Sequence, residues 1–336
     1  MEIGKYQIIS SLGEGQFGQV FRAFDRAIDQ EKAIKVINID SDDQIRSVLN
    51  EARLLNKCKH KHIVKINEAD VYESEGRRVV IIDMEFIGGG SLECQLANKF
   101  VSIKEVRKIF IDVLFGLEFA HSKRILHRDV KPANIMIDKN YAKLSDFGLA
   151  TILATKPLNS IVGYTTHLAP EIIVNGTTTL QSDIYAVGVS LFRALNNIAN
   201  WRERINQIVD IGETLKRGNL LDTLGYESYI PKKMTAIIRK ATNLDVNKRF
   251  LSASQFRNAL ESLKPDIEWH RFSIDKWTGE LPEKGLITVE VIQNGCQYTV
   301  LIKKNNRRIL ALCQTFDDLG EARAYLENYV AETTFN

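Results

Sequence analysis

The sequence predicts an α+β chain in three parts: a small strand-rich half, a larger helical half, and a small mixed module at the C-terminal end. Three observations predict it. Short apolar runs flank a glycine-rich turn near the start, a long stripe with helical spacing fills the middle, and period-two alternation returns after Lys264-Pro265. In the first part, Tyr6 to Leu12, Gln19 to Phe24, Lys32 to Ile37 and Val79 to Phe86 read as strands. Ile45, Val48, Leu49, Ala52 and Leu55 mark one intervening helix. In the second part, Ser102 and Glu105 form a capping box ahead of the stripe Val106, Ile109, Phe110, Val113, Leu114 and Leu117, and most of Asp183 to Leu263 reads as helix. The third part, 266–336, reads as three strands and a helix. Ile287, Val289 and Val291 alternate with polar residues, Asn294-Gly295 is a hairpin turn, Gln297 to Ile302 and Ile309 to Cys313 are two further strands, and Leu319, Ala322, Leu326 and Tyr329 line the helix.

Composition narrows the function classes. The chain has 336 residues, 44% hydrophobic and 26% charged, which is globular and excludes disordered and fibrous classes. A net charge of +3 is too small to imply a nucleic acid or a membrane surface. Cys58, Cys94, Cys296 and Cys313 are scattered without CxxC pairs, which argues against a zinc site or a disulfide framework. The residues after Met1 lack a basic stretch followed by an apolar core, and no apolar run approaches a membrane span. The expectation is a soluble, cytoplasmic protein with no membrane partner.

The chemistry-bearing residues come in a fixed order. Gly13-Glu14-Gly15-Gln16-Phe17-Gly18-Gln19-Val20 contains glycines that let a backbone turn tightly and approach phosphate oxygens. The same GxGxxG string opens dinucleotide folds, but there it runs into a helix. Here it runs into the strand at Val20 and Phe21, which suits a β-hairpin folded over a nucleotide. Lys35 stands in an apolar strand and needs a partner, for which Glu51 on the next helix is the natural candidate. In His127-Arg128-Asp129-Val130-Lys131-Pro132-Ala133-Asn134, Asp129 suits accepting or orienting a hydroxyl proton. Lys131 suits charge neutralisation on a migrating phosphoryl group, and Asn134 offers an amide oxygen to Mg²⁺. Asp146 of Asp146-Phe147-Gly148 is a second oxygen ligand, beside an apolar Phe147 that suggests a packing switch. Glu171 of Ala169-Pro170-Glu171 and the distant Arg249 are expected to pair as a structural brace.

Taken in order, these motifs resemble the eukaryotic-type serine/threonine protein kinase signature set, over about residues 1–264. The resemblance implies a bilobal protein-kinase fold, with an N-lobe of about 1–86 and a C-lobe of about 87–264, and a small C-terminal domain at 266–336. It implies transfer of the γ-phosphate of ATP, with Mg²⁺, to Ser/Thr hydroxyls of protein substrates. Leu12, Gly13, Glu14, Gly15, Gln16, Phe17, Gly18, Gln19 and Val20 would cover ATP, and Ala33 would line the adenine pocket. Lys35 would hold the α- and β-phosphates, positioned by Glu51. Met84 would be the gatekeeper, with Glu85 and Phe86 offering hinge backbone to adenine. Asp129 would be the catalytic aspartate, assisted by Lys131, and Asn134 and Asp146 would hold the metal.

The Ser/Thr class is implied by Lys131, two residues after Asp129. Arg128 would pair with a phosphate on the segment 149–168, where Ser160, Thr165 and Thr166 are the leading autophosphorylation candidates. Tyr164 departs from the family pattern at a position where threonine usually shapes the substrate platform. Lys32 replaces a usual apolar residue and reads as an edge-strand lysine. Two other readings stay in view. One is a pseudokinase scaffold, which the presence of Lys35, Glu51, Asp129, Asn134 and Asp146 disfavours. The other is nucleic-acid binding by the tail through Lys303, Lys304, Arg307 and Arg308. Residues 266–336 carry 8 Lys and Arg against 11 Asp and Glu, so protein docking or an intramolecular brace, anchored by Trp269 and Trp277, suits that region better.

Overall fold

The computed structural model describes every residue except 1, 16–17, 57, 75–76, 140, 148–164, 282–284 and 336; of 15, 47, 51, 54, 55, 74, 77 and 165 it describes the backbone alone. The N-terminal part is an antiparallel sheet in the order β1-β2-β3-β4-β6-β5. Its strands are β1 (Glu2–Ile3), β2 (Tyr6–Gly15), β3 (Gly18–Asp25), β4 (Gln30–Ile39), β5 (Ile66–Ser74) and β6 (Arg77–Glu85), with α1 (Asp42–Asn56) between β4 and β5. Gly13 pairs with Val20 and Gly15 with Gly18, so the glycine-rich string is the tip of a β2–β3 hairpin, as its run into a strand predicts. Gly18 has φ 145°, and a Cβ there would collide with the carbonyl oxygen of Val36 on β4.

Two features of this sheet differ from the sequence reading. Strand β5 is not legible beforehand, because Glu68, Asp70 and Glu73 interrupt its apolar pattern; it is an edge strand with one face to solvent. Lys32 is not at a sheet edge. It lies on β4, between β3 and β6, and is only 7% exposed. A lysine tolerates this because its long stem packs while its head reaches a polar space.

The helical part begins with α2 (Leu92–Asn98) and α3 (Ile103–Ser122), followed by the hairpin of β7 (Ile135–Ile137) and β8 (Ala142–Leu144). The Ser102–Glu105 capping box starts α3, whose inner face buries Val106, Ile109, Phe110, Val113, Leu114 and Leu117. Then come α4 (Pro170–Asn175), α5 (Leu180–Leu195), α6 (Trp201–Asn206), α7 (Ile211–Lys216), α8 (Leu220–Leu224), α9 (Lys232–Ala241) and α10 (Ala253–Ser262). Helix α5 is buried on nearly every side, as expected of the central helix of such a bundle.

The C-terminal region is a sheet and a helix, as expected, but the sheet is larger than three strands. Its order is β13-β12-β11-β10-β9, with β14 also on β12. The strands are β9 (Glu268–Ser273), β10 (Lys276–Glu280), β11 (Leu286–Asn294), β12 (Gln297–Lys304), β13 (Arg307–Arg308) and β14 (Gln314–Phe316), and α11 (Leu319–Thr334) closes the unit. Strands β9 and β10 escape the sequence reading because each buries one tryptophan among polar neighbours. Ile309 to Cys313 is not a strand. Pairing stops at Arg308, and Leu310–Leu312 forms a single 3-10 turn that leaves Leu310 exposed. The β11–β12 hairpin closes between Asn294 and Gln297, with Gly295 at φ 63°.

One apolar core runs from the sheet through the helical part into the C-terminal unit. Trp277, fully buried, is the link: its ring lies 5.2 Å from Phe100 and 5.2 Å from Tyr229 of the helical part. Trp269 packs edge-on against Tyr329 of α11, inside its own unit.

Candidate active site

The loop 127–134 is held from below by one carboxylate. Asp183, on α5 and 1% exposed, accepts the backbone N–H of His127 at 2.9 Å and of Arg128 at 2.7 Å, and bonds Nε2 of His121 at 2.8 Å. This fixes Arg128 at φ 69°, a left-handed conformation costly for a side-chain-bearing residue. The sequence reading reached Asp183 but not this role or His121; the signal was an acid inside the otherwise apolar run of α5. The His127 ring is fully buried, 4.3 Å from the ring of Phe147, and burial depresses its pKa below the usual histidine value despite nearby carboxylates. Phe147 is therefore a packed residue between the loop and Asp146.

Above that base the polar side chains converge. The Asp129 carboxylate lies 2.8 Å from Lys131 Nζ and accepts 2.9 Å from the Asn134 amide, which also bonds the Asp129 carbonyl at 2.8 Å. With its nitrogen committed to Asp129, the Asn134 amide leaves its oxygen as the end available to a hard cation. The Asn134 carbonyl accepts the Ser145 N–H at 2.9 Å, so the β7–β8 hairpin ties Asn134 to Asp146. Asp146 sits at φ 57°, and its Oδ1 is 2.5 Å from Nζ of Lys35, which crosses from β4 and is 5% exposed. Burial alone would raise the Asp146 pKa; the charge and hydrogen bond of Lys35, with the Lys131 charge, outweigh it and hold the carboxyl below its usual range. An ionised carboxylate and an amide oxygen on one hairpin are a donor set that fits Mg²⁺. Glu51 lies on α1, but its side chain, and with it the expected Lys35 pairing, is outside the described residues.

At the back of the cleft Ala33 and Met84 are directly paired on β4 and β6. Glu85 follows, and its carboxylate accepts Lys143 Nζ at 2.6 Å through each oxygen and the Lys65 N–H at 2.6 Å. Sequence reasoning missed Lys143; a lysine within the apolar strand β8 was its signal. Leu12, Glu14, Gln19 and Val20 lie on the β2–β3 hairpin and Phe86 just beyond β6, while Gln16 and Phe17 are outside the described residues.

The segment expected to receive phosphate is mostly undescribed: Ser160 and Tyr164 fall outside, as does the side chain of Thr165. Thr166 is described, and its position does not suit an accessible acceptor. It is 3% exposed, and its hydroxyl accepts the Trp201 Nε1–H at 2.8 Å. Further on, Arg249 makes the expected brace. Nη1 and Nη2 each lie 2.8 Å from a different oxygen of Glu171, a bidentate pair whose guanidinium is fully buried.

Residues 6–260 match the family described as protein kinase domain. The chain belongs to the protein kinase family. It is 29% identical over 303 residues to serine/threonine-protein kinase PrkC of Bacillus subtilis, covering 87% of this chain and 45% of that one. It is likewise 29% identical over 269 residues to the probable serine/threonine-protein kinase PknB of Lactococcus lactis, covering 76% and 42%. A probable serine/threonine-protein kinase of Dictyostelium discoideum, MARK-A, is 28% identical over 257 residues, 74% of this chain and 23% of its own. The chain spans less than half the length of these curated relatives. The kinase family match stops at 260, short of the C-terminal sheet. No helix among the described residues is long and apolar enough to cross a membrane.

Proposed function

We propose that the chain is an active serine/threonine protein kinase that transfers the γ-phosphate of ATP to protein hydroxyls. The observation that carries this is the convergence of Asp129, Lys131 and Asn134 with the Lys35–Asp146 pair across one cleft. Bound Mg²⁺ and ATP supply the phosphoryl group and neutralise its charge; the chain supplies the rest. Asn134 and Asp146 hold the metal. Lys35 binds the α- and β-phosphates, and Glu51 positions Lys35. The hairpin from Leu12 to Val20 covers the nucleotide, Ala33 lines the adenine pocket, and the backbone of Glu85 and Phe86 bonds the adenine edge. Asp129 orients the acceptor hydroxyl and takes its proton, and Lys131 offsets charge developing on the transferred group. Asp183 touches none of these groups and acts as a positioning residue.

Residues 1–264 form the catalytic unit, with lobes meeting near residue 86, and 266–336 form an accessory unit for protein docking or bracing rather than nucleic-acid binding. Four scattered thiols and a nucleotide-dependent reaction suit the cytoplasm. The Ser/Thr preference rests on Lys131 and on the printed names of the relatives. Phosphoamino-acid analysis after incubation with Mg²⁺, γ-labelled ATP and a basic protein tests it. Label in phosphoserine and phosphothreonine is expected; label confined to phosphotyrosine contradicts the assignment.

A further inference from the structure

A chain of side-chain contacts that the proposed reaction leaves unused runs from α2 to the short 3-10 turn Thr165–His167, which stands between residue 164 and α4. It starts at Glu93 on α2, whose Oε1 accepts Nη2 of Arg193 at 2.6 Å. Arg193 lies near the end of α5 and is 2% exposed, and its guanidinium also donates to the carbonyls of Ile198 and Ala199 at 3.3 Å each. The same guanidinium lies 5.6 Å from the centre of the Trp201 ring. Trp201 in turn donates its Nε1–H to the Thr166 hydroxyl at 2.8 Å, and its ring packs 5.3 Å from that of His167. Every member after Glu93 is more than nine-tenths buried.

A buried guanidinium and a buried indole N–H are costly unless each is partnered, and here each is. The turn they hold has few bonds of its own. Nε2 of His167 is buried with no hydrogen-bond partner among the described residues, and its Nδ1 reaches the Thr166 hydroxyl only at 3.5 Å. The neighbours of the turn give it meaning. Burial keeps the His167 ring neutral, and the charges of Arg193 and Lys131 reinforce this, so the turn lies within electrostatic reach of Lys131. Helix α5 links the two places. Its Asp183 holds the loop 127–134, its Ser190 hydroxyl bonds the Val130 carbonyl at 3.2 Å, and its Arg193 sits against Trp201. Among the described residues, Arg193, Trp201, Thr166 and His167 make no hydrogen bond or ion pair with Lys35, Asn134 or Asp146.

We propose that Trp201 and Thr166, locked by the Arg193–Glu93 pair, are positioning residues for the protein acceptor. They fix the turn beside Lys131 on the acceptor side of Asp129, and they touch neither the nucleotide nor the metal ligands. The inference rests on the kinase reading above and adds to it the side chains that hold the acceptor in place. Tyr164 replaces the threonine of the family pattern in this stretch, and an indole N–H from α6 ties down the turn that follows it. With that bond removed, the turn is free to shift relative to Lys131, while the Lys35–Asp146 pair keeps its geometry.

Two activities of the full chain test this: transfer of γ-labelled phosphate from Mg²⁺-ATP to a basic protein, and the slow hydrolysis of Mg²⁺-ATP with water as acceptor. Thr166→Val keeps the shape of the side chain and removes the accepting oxygen. Trp201→Phe keeps an aromatic ring and removes the N–H, and Thr166→Ser keeps the hydroxyl. Thr166→Val and Trp201→Phe are expected to raise KM for the basic protein by about 5–100-fold, the scale of one buried hydrogen bond left unmade. KM for ATP and the hydrolysis rate should stay at wild-type values, and Thr166→Ser should restore KM for the protein. A wild-type KM for the protein in both disabling variants overturns the proposal alone. So does a proportional loss of transfer and hydrolysis, which would mark the contact as merely structural. Silence of the wild type toward the protein would instead overturn the kinase reading, and this inference with it.

Discussion

Two histidines in the catalytic half are buried as neutral rings, and this sets an acid limit on stability. Burial lowers the pKa of His127 from the ordinary 6.5, and burial together with Arg193 and Lys131 pushes that of His167 well below it. The unfolded chain then binds more protons than the folded one as pH falls below about 6.5, so unfolding becomes easier with acid. Each ring contributes a slope of up to about 1.4 kcal/mol per pH unit in that window. Urea unfolding between pH 7.5 and 5.5 should show the decline, and His167→Asn should flatten it; an unchanged slope in the variant contradicts this reading. Arg249 gives a second residue-scale prediction. Arg249→Met strands the partly buried Glu171 carboxylate and should cost about 3–5 kcal/mol by denaturant unfolding, whereas an exposed pair would cost under about 1.

At this scale the order of the motifs was informative. It singled out Lys35, Asp129, Lys131, Asn134 and Asp146, and the structure brings these five side chains together in one cleft. Lys32 and Lys143 were harder. A lysine between apolar residues looks the same whether it is at an edge or inside, and only the strand order distinguishes the two.

Among the elements, α5 does the most to position the site. Its Asp183 accepts two backbone N–H groups of the loop that carries Asp129. Asp183→Ala leaves both buried donors unsatisfied, at about 1–3 kcal/mol each. The expected result is lower stability together with a fall in kcat larger than any change in KM for ATP. A normal kcat in a folded variant would show that the loop holds its shape without this carboxylate. Helices such as α3 were legible because a capping box and a long stripe agree on one start and one face. Strands β5, β9 and β10 were not, because strand signals are short and one polar interruption erases them. Their identity comes from the neighbours they pair with, which local sequence does not reveal.

Across the whole molecule, the C-terminal unit shares its core with the helical part through Trp277, and Arg271 stacks over Trp277, Phe100 and Tyr229. Trp277→Ala should lower stability by about 3–5 kcal/mol and expose the connection near Lys264 to limited proteolysis. Unchanged cleavage would mean that the two units hold together without it. The sequence located this unit and its anchor but not its strand count, since a sheet packed on another unit carries less alternation than one facing water.

The central claim is that Asp129, with Lys131 and Asn134 beside it, serves phosphoryl transfer. The most direct measurement compares wild type with Asp129→Asn in transfer of γ-labelled phosphate from Mg²⁺-ATP to a generic basic protein and to a cell lysate. Wild type should transfer phosphate, and the variant should be slower by about 10²–10⁴-fold while still binding nucleotide. Equal silence of the two proteins with Mg²⁺ present would contradict the account and leave a nucleotide-binding scaffold in its place.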